Sequence, residues 1–490
     1  MGNHGPFFMT ADLQAFSDSL LAAQPQVIGP ELWPRIAACL AAPDVDARGA
    51  SFAARIAITR RLSAMPFVTL EAIGRLDTAF RDLLLAYLIH EPLMDDALEG
   101  LVTRLRKSIL MDMMAGARPS ADGLSLISAL AIFCFGAEYV FAETESETRG
   151  VETLARAAFP AALALLACYR PLANYPDLAP VWKDAAGSFA AVIAAQVIEP
   201  AEEHAIAAEI PTLSAIADPV SAAVRAMYEQ NPYPRWRQLR PEPAPTRTGH
   251  PRRILIAGCG TGRHALLWAR HYPAARILAF DLSRASLAYA IRQQRALGIA
   301  SVDFRHGDIL AMAGSQDRYD LISCIGVIHH MARPQDGLNI LAGLLAPDGV
   351  MELGIYTESG RPEVAAAAAL RREHGIPGTP DGIRHLRQII RSLPEDHPAR
   401  AACDGLDFYS MSGCRDYLFH VQEHRFRPPQ VAALLAGAGL RLVDIGLKHG
   451  SRADFNRRFP DETDVMAWHA YEEEHPGCFG SMYEMRLAKL

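Results

Sequence analysis

The stretch Ile254-Leu255-Ile256-Ala257-Gly258-Cys259-Gly260-Thr261-Gly262 decides the reading of this chain. Four apolar residues run into three glycines at alternate positions, so a buried strand leads into a tight turn that a ligand can approach closely. A helical pattern follows from Arg263 to about His271. The start of such a helix presents unpaired N–H groups and partial positive charge, which suits the polar parts of a nucleotide.

The glycine spacing separates two classes of nucleotide site. A dinucleotide turn, G-x-G-x-x-G, would place its third glycine at position 263, where this chain has Arg263. The third glycine is Gly262, giving G-x-G-x-G. Downstream, Arg276–Asp281 reads as a second strand ending in an acid, about 20 residues beyond the glycines, the spacing of a ribose-binding carboxylate. Val302–Ile309 reads as a third strand ending in Gly307-Asp308, and Tyr319–Met331 as a fourth with a polar end at His329-His330. Leu344–Tyr356 supplies a Pro347-Asp348-Gly349 turn and a fifth strand. Strands alternating with helical patterns predict an α/β fold with a parallel, doubly wound sheet.

These residues resemble the motifs of the class I S-adenosylmethionine (SAM)-dependent methyltransferases, over roughly residues 250–360. The resemblance implies a Rossmann-like, seven-stranded domain whose sixth and seventh strands form an antiparallel hairpin at the edge. It implies SAM as cofactor, held by Gly258, Cys259, Gly260, Thr261, Gly262, Asp281, Leu282, Asp308, Ile309, Cys324 and Ile325. In that family the glycine loop passes the methionine part, the first acid binds the ribose and the second holds the adenine amino group. The remaining strands are expected at Leu440–Leu447 and about Ser481–Leu487. Helices are expected from Arg427-Pro428 to Ala436 and near Glu462–Glu474.

At 490 residues the chain is long enough for two or three domains. Hydrophobic residues make up 50% and charged residues 21%, a globular composition. A net charge of −7 offers no broad field for phosphates, so nucleic acid is disfavoured as a partner. Eight scattered cysteines without a C-x-x-C pair fit a reducing cytoplasm. Met1–Pro6 lacks the basic and apolar regions of a secretory signal, and Pro6 stands where myristoylation favours Ser or Thr. The apolar runs Leu124–Phe135 and Ala161–Cys168 are too short to span a membrane, so no membrane partner is expected.

Three regions follow from the pattern. Residues 1–225, rich in Ala and Leu, read as an all-α domain for docking, scaffolding or homodimerisation. Leu98, Leu101 and Leu105 share one helical face there, with Arg104, Arg106 and Lys107 largely off it. Ser120 and Asp122 are N-cap candidates. Residues 226–250 read as a proline-rich linker or lid, and 251–490 as the methyltransferase domain. The linker carries Asn231-Pro232-Tyr233-Pro234-Arg235-Trp236, aromatic and polar side chains that cost solubility unless they pack. This segment resembles one in bacterial methyltransferases with long helical N-terminal regions, and the overall layout is similar to bacterial protein-lysine methyltransferases.

An insertion at about 357–426 separates the fifth and sixth strands, on the edge where ligands of open α/β sheets bind, and should cap the acceptor pocket. Its densest polar part is Asp407–Arg425; if helical, Asp416, His420 and Glu423 share a face. His420-Val421-Gln422-Glu423-His424 also fits H-x-x-E-H, a short zinc pattern common by chance that needs a third ligand on a suitable helix and here sits inside the insertion, so no metal is assigned. Methyl transfer needs alignment of the acceptor above all, with a base for a nitrogen or oxygen that must lose a proton. His329, His330 and Tyr356 are the catalytic candidates. Asn231, Tyr233, Arg235, Trp236, Tyr409, Arg415, His420 and Glu423 are the acceptor-binding candidates. The fourth strand has no N-P-P-Y, the motif of enzymes that methylate amino groups of DNA bases. A protein side chain ranks ahead of a small molecule as acceptor. RNA ranks third, on a basic stripe of Arg384, Arg387 and Arg391. A SAM-binding scaffold without turnover is the reading from a different class.

Overall fold

Ile254, Leu255, Ile256 and Ala257 are at most 2% exposed, and this run forms the middle of a seven-stranded sheet. The computed structural model describes residues 10–65, 69–91, 94–157, 159–183, 185–242, 251–450 and 452–490. The expectations for Met1–Pro6, and the linker prolines at 243 and 245, lie outside these residues. The strands are β1 (Arg253–Ala257), β2 (Arg276–Asp281), β3 (Val302–His306), β4 (Tyr319–Ile325), β5 (Leu345–Tyr356), β6 (Leu440–Ile445) and β7 (Met482–Lys489). Their order is β3-β2-β1-β4-β5-β7-β6. β1 to β5 are parallel, while β7 runs antiparallel between β5 and β6. The order reverses between β1 and β4, so a crevice opens at their carboxyl ends.

Both faces of the sheet are covered, as a buried parallel sheet requires. One face packs under Arg263–His271 and Arg284–Ala296. The other packs under Pro334–Leu344, Pro428–Gly437 and Val465–Glu474. The last of these helices starts three residues later than expected, at the side-chain cap of Asp464 on the Met466 N–H. Helix Glu199–Glu209 also joins the sheet, with Ile206 in the same core as Trp236, Leu287 and Tyr289.

A separate core unites Leu13 to Ile193 with Ala367 to Phe419 of the insertion. The apolar runs at 124–135 and 161–168 are helical and largely buried in it, and no helix among the described residues is long and apolar enough to cross a membrane. Ser120 caps Ala121–Gly136 by accepting the Gly123 N–H, whereas Asp122 pairs with Arg81. In Asp96–Met114, Leu98, Leu101 and Leu105 are buried as expected. Arg106 departs from the amphipathic reading, because it too is fully buried, over the Tyr169 ring and donating to the Ala142 carbonyl.

The insertion packs against the helical half more than it covers the sheet. Its Pro380–Ser392 helix carries Arg384, Arg387 and Arg391, and all three point into that contact. Arg384 donates to the Tyr139 carbonyl, Arg387 to Glu99 and to the Phe408 and Val140 carbonyls, and Arg391 to Asp96 and Glu99. The basic stripe on which the third-ranked RNA acceptor rested is therefore engaged in internal hydrogen bonds and ion pairs.

Candidate functional site

A cavity of about 450 Å³ opens at the switch point between β1 and β4. Its floor is the glycine turn. The Gly258 and Cys259 N–H groups both bond the Phe280 carbonyl at the end of β2, which draws the turn onto the neighbouring strand. Gly262 opens the following helix in a left-handed conformation (φ 77°), and a Cβ there would stand 2.5 Å from the Ala290 Cβ. Gly260 faces the crevice, where a Cβ would come within 3.0 Å of the Tyr233 carbonyl oxygen. Glycine at this point keeps the passage between turn and lid open.

Asp281 braces the same turn. One carboxylate oxygen accepts the Gly260 N–H at 2.8 Å and the other the Ser283 N–H at 2.9 Å. Burial raises its pKa above the ordinary aspartate value, opposed by these two N–H groups. Each oxygen keeps lone pairs for a further donor. Asp308, 6% exposed, accepts the Leu310 N–H at 3.0 Å and lines the cavity with Ile309 and Leu282.

Among the expected cofactor residues, Gly258, Cys259, Gly260, Thr261, Asp281, Leu282, Asp308, Ile309 and Ile325 line the cavity. Gly262 lies behind it against Ala290 and Phe304. Cys324 also lies outside, because successive strand residues face opposite sides and Ser323 and Ile325 take the cavity side of β4. His264, which sequence reasoning missed, lines the cavity and bonds Ser323 Oγ at 3.1 Å.

The N-P-Y-P-R-W segment lies over the turn. Trp236 is buried and donates its indole N–H to the Thr261 carbonyl at 3.1 Å, while Thr261 Oγ1 donates to the Pro234 carbonyl at 2.5 Å. Tyr233 and Pro234 line the cavity. Asn231 and Arg235 do not. Asn231 donates to Glu138, and Arg235 packs over the Phe135 and Tyr289 rings near Glu203.

Distant parts of the chain add Tyr228, His330, Tyr356, Arg361, Asp407, Asp416 and Tyr417 to the wall. Tyr233 donates to Asp407 at 2.7 Å, and Tyr228 donates to Asp416. Burial pushes the Asp416 carboxyl up to about 7 and raises Asp407 as well. The Arg361 guanidinium, 4% exposed, sits 3.7 Å from the Tyr356 ring centroid and 3.2 Å from Glu423.

His330 stacks on His420 with centroids 3.5 Å apart and planes 16° from parallel. His330 Nδ1 bonds the Gln422 carbonyl at 2.7 Å, and His420 Nδ1 accepts the Gln422 N–H at 3.1 Å. In neutral rings the first contact leaves His330 Nε2 with its lone pair, and the second puts the His420 proton on Nε2. Burial drives both rings, and His329, below the ordinary histidine value, so they stand neutral.

Several expected residues sit elsewhere. His329 is fully buried between His330 and Tyr356 and does not reach the cavity; no partner for its ring nitrogens occurs among the described residues. Tyr409 is buried beside the helical half, donating to the Cys403 carbonyl at 2.6 Å. Arg415 pairs with Gln230. Asp416, His420 and Glu423 do not share a helical face, because the Met411–Phe419 helix ends before His420. His420 still meets Asp416 through Tyr228, whereas Glu423 turns to Arg361 outside the cavity wall.

Residues 254–349 match a family model described as a methyltransferase domain. The chain is 31% identical over 256 residues to an uncharacterized protein of Synechococcus sp., covering 47% of this chain and 61% of that one. It is 27% identical over 156 residues to a ubiquinone biosynthesis O-methyltransferase of Azotobacter vinelandii, covering 32% of this chain and 64% of the relative. The chain therefore spans less than two thirds of the length of these relatives. Among solved structures, PKMT2 from Rickettsia typhi aligns over 56% of this chain and 52% of its own, with 16% identity and a TM-score of 0.39.

Proposed function

We propose that this chain, whose residues 254–349 carry the methyltransferase domain of the class I SAM-dependent enzymes, transfers a methyl group to an acceptor, with a protein side chain favoured. The observation that carries the reading is the Asp281 carboxylate locked onto the Gly260 N–H at the rim of the 450 Å³ cavity. That cavity volume falls within the range of about 300–1,000 Å³ usual for small-molecule sites. Asp281 would hold the ribose hydroxyls, Asp308 the adenine edge, and the Gly258–Thr261 turn the methionine part. The bound cofactor supplies a methyl group already activated on a sulfonium.

The chain's own residues then have three tasks. Tyr233 and Pro234, pinned through Thr261 and Trp236, shield the site from water. Tyr228, Tyr356, Arg361, Asp407 and Asp416 form the acceptor end, and His330 and Tyr356 remain the catalytic candidates in contact with the cavity. A protein acceptor is supported by the way the insertion fastens the acceptor end to the large helical half, which puts a broad surface beside a small cavity. A small-molecule acceptor is the second reading, favoured by the 27% identity to O-methyltransferases. The eight cysteines, all free and buried, support a reducing, cytoplasmic setting.

Tritium transfer from labelled SAM into a cell lysate, fractionated into protein, RNA and small molecules, tests the proposal. Label in the protein fraction supports it, and label confined to small molecules moves the acceptor to the second reading. SAM binding with label in no fraction leaves a cofactor-binding scaffold.

A further inference from the structure

We infer that the acceptor is an amine, which enters the cavity as an ammonium ion and gives up a proton to Asp416; the inference rests on the methyltransferase reading above. The charge inventory of the acceptor end carries it. Two carboxylates line this end, Asp416 buried and Asp407 half-buried, and among the described residues each has a single phenol as its direct side-chain donor. The cation at this end of the wall, Arg361, is shared among them and Glu423, which pairs with Arg425 as well. Burying carboxylates without a matched cation is costly, and such an arrangement persists where a ligand brings the counter-charge. Tyr228, Tyr233, Tyr356 and Tyr417 add aromatic surface, which also attracts cations. A neutral hydroxyl acceptor would bring no charge to these carboxylates and leave them to share Arg361 with Glu423.

A metal ion does not fit as the missing cation. His330, Asp416 and His420 bring ligand atoms within 4.8 Å of one another. The two imidazoles are stacked nearly parallel, so no single point lies close to both nitrogens and in both ring planes. The His420 Nδ1 contact also leaves a proton on the Nε2 that would have to bind.

The proton balance selects Asp416. The groups around it are Tyr228, Asp407, Arg361, Glu423, His330 and His420. Arg361 and the phenols are donors, and burial makes the histidines weak bases. Asp416 Oδ1 is engaged by Tyr228, and Oδ2 is left to accept. The N–H bond of the ammonium breaks, an O–H bond forms on Asp416, and the electron pair stays on nitrogen as the nucleophilic lone pair. The Asp416 proton returns to water when the product leaves. A carboxyl near 7 is balanced for this exchange at neutral pH.

The test uses the full chain saturated with S-adenosylhomocysteine and titrated near neutral pH with n-butylammonium chloride or n-butanol, read by calorimetry. The ammonium should bind at least about tenfold more tightly than the alcohol. Asp416→Asn and Asp407→Asn, each close in shape to the native side chain, should both weaken the ammonium by about tenfold and leave S-adenosylhomocysteine affinity unchanged. Equal binding of the two probes, or full ammonium affinity in both variants, overturns the inference while the methyltransferase reading stands. Failure of the unmodified chain to bind S-adenosylhomocysteine overturns that reading and the inference with it.

Discussion

Replacing Asp281 with Ala probes the proposed cofactor site at its most constrained point. The native carboxylate accepts the Gly260 and Ser283 N–H groups and has lone pairs left for two ribose hydroxyls. A hydrogen bond to a charged group contributes about 1.5–3 kcal/mol, so losing two removes about 3–6 kcal/mol of binding. At 1.4 kcal/mol per factor of ten, affinity for S-adenosylhomocysteine should fall by about a hundredfold to ten-thousandfold. Asp281→Asn, which keeps one acceptor oxygen, should fall between Ala and the native residue. The native affinity should also depend on pH with a definite sign. Burial raises the ligand-free Asp281 pKa, and hydroxyl donors favour its ionised form. Binding is therefore strongest above that raised value and weakens as pH falls through it, and Asp281→Ala should remove this component. Calorimetry with S-adenosylhomocysteine across acidic and neutral pH reads both effects. An Asp281→Ala protein with native circular dichroism and affinity within about threefold of the native chain would refute the argument.

Two further outcomes concern stability. Arg387→Met removes the guanidinium that joins Glu99 to the Phe408 and Val140 carbonyls, and breaking a buried pair of this kind should cost about 3–5 kcal/mol in urea unfolding; a loss below about 1 kcal/mol would contradict its role in fastening the insertion. Asp416 has a folded carboxyl near 7 against an ordinary 3.8, so its proton stabilises the fold at low pH. That stability is lost as pH rises through the folded value, by about 4 kcal/mol in total, and Asp416→Asn should gain stability relative to the native chain at pH about 8 compared with about 5. An unchanged difference between the two proteins across that range would rule out the buried carboxyl as its source.

The glycine-turn half of the cavity was legible because it is local in sequence. β1, its glycine turn and Arg263–His271 occupy consecutive residues, and Asp281 meets Gly260 across 21 positions. Apolar or alternating runs closed by Gly or Asp mark each of β1 to β4 in the linear pattern. Cys324 was misplaced within that half for want of phase. Period 2 makes either set of alternate residues face the ligand, and only the register with β1 and β5 assigns Ser323 and Ile325 to it.

The Asp407–Asp416 half of the cavity was not legible for the opposite reason. Tyr233 reaches Asp407 across 174 positions and Tyr228 reaches Asp416 across 188, distances over which sequence pattern carries no signal. Charge misled in the same region, since Arg106 and Arg387 read as surface residues and are among the most deeply buried side chains. A long insertion that carries its own arginines can acquire partners wherever another part of the chain supplies carboxylates, and Glu99 and Asp96 supply them here. These ion pairs tie the Asp407–Asp416 end of the cavity to the helical half. A change on the Asp96–Met114 helix that loosened them should disturb Asp407 and Asp416 more than Asp281 and Gly258–Gly260, because the latter are held directly by β2 and its flanking turn and reach Asp407 only through Tyr233.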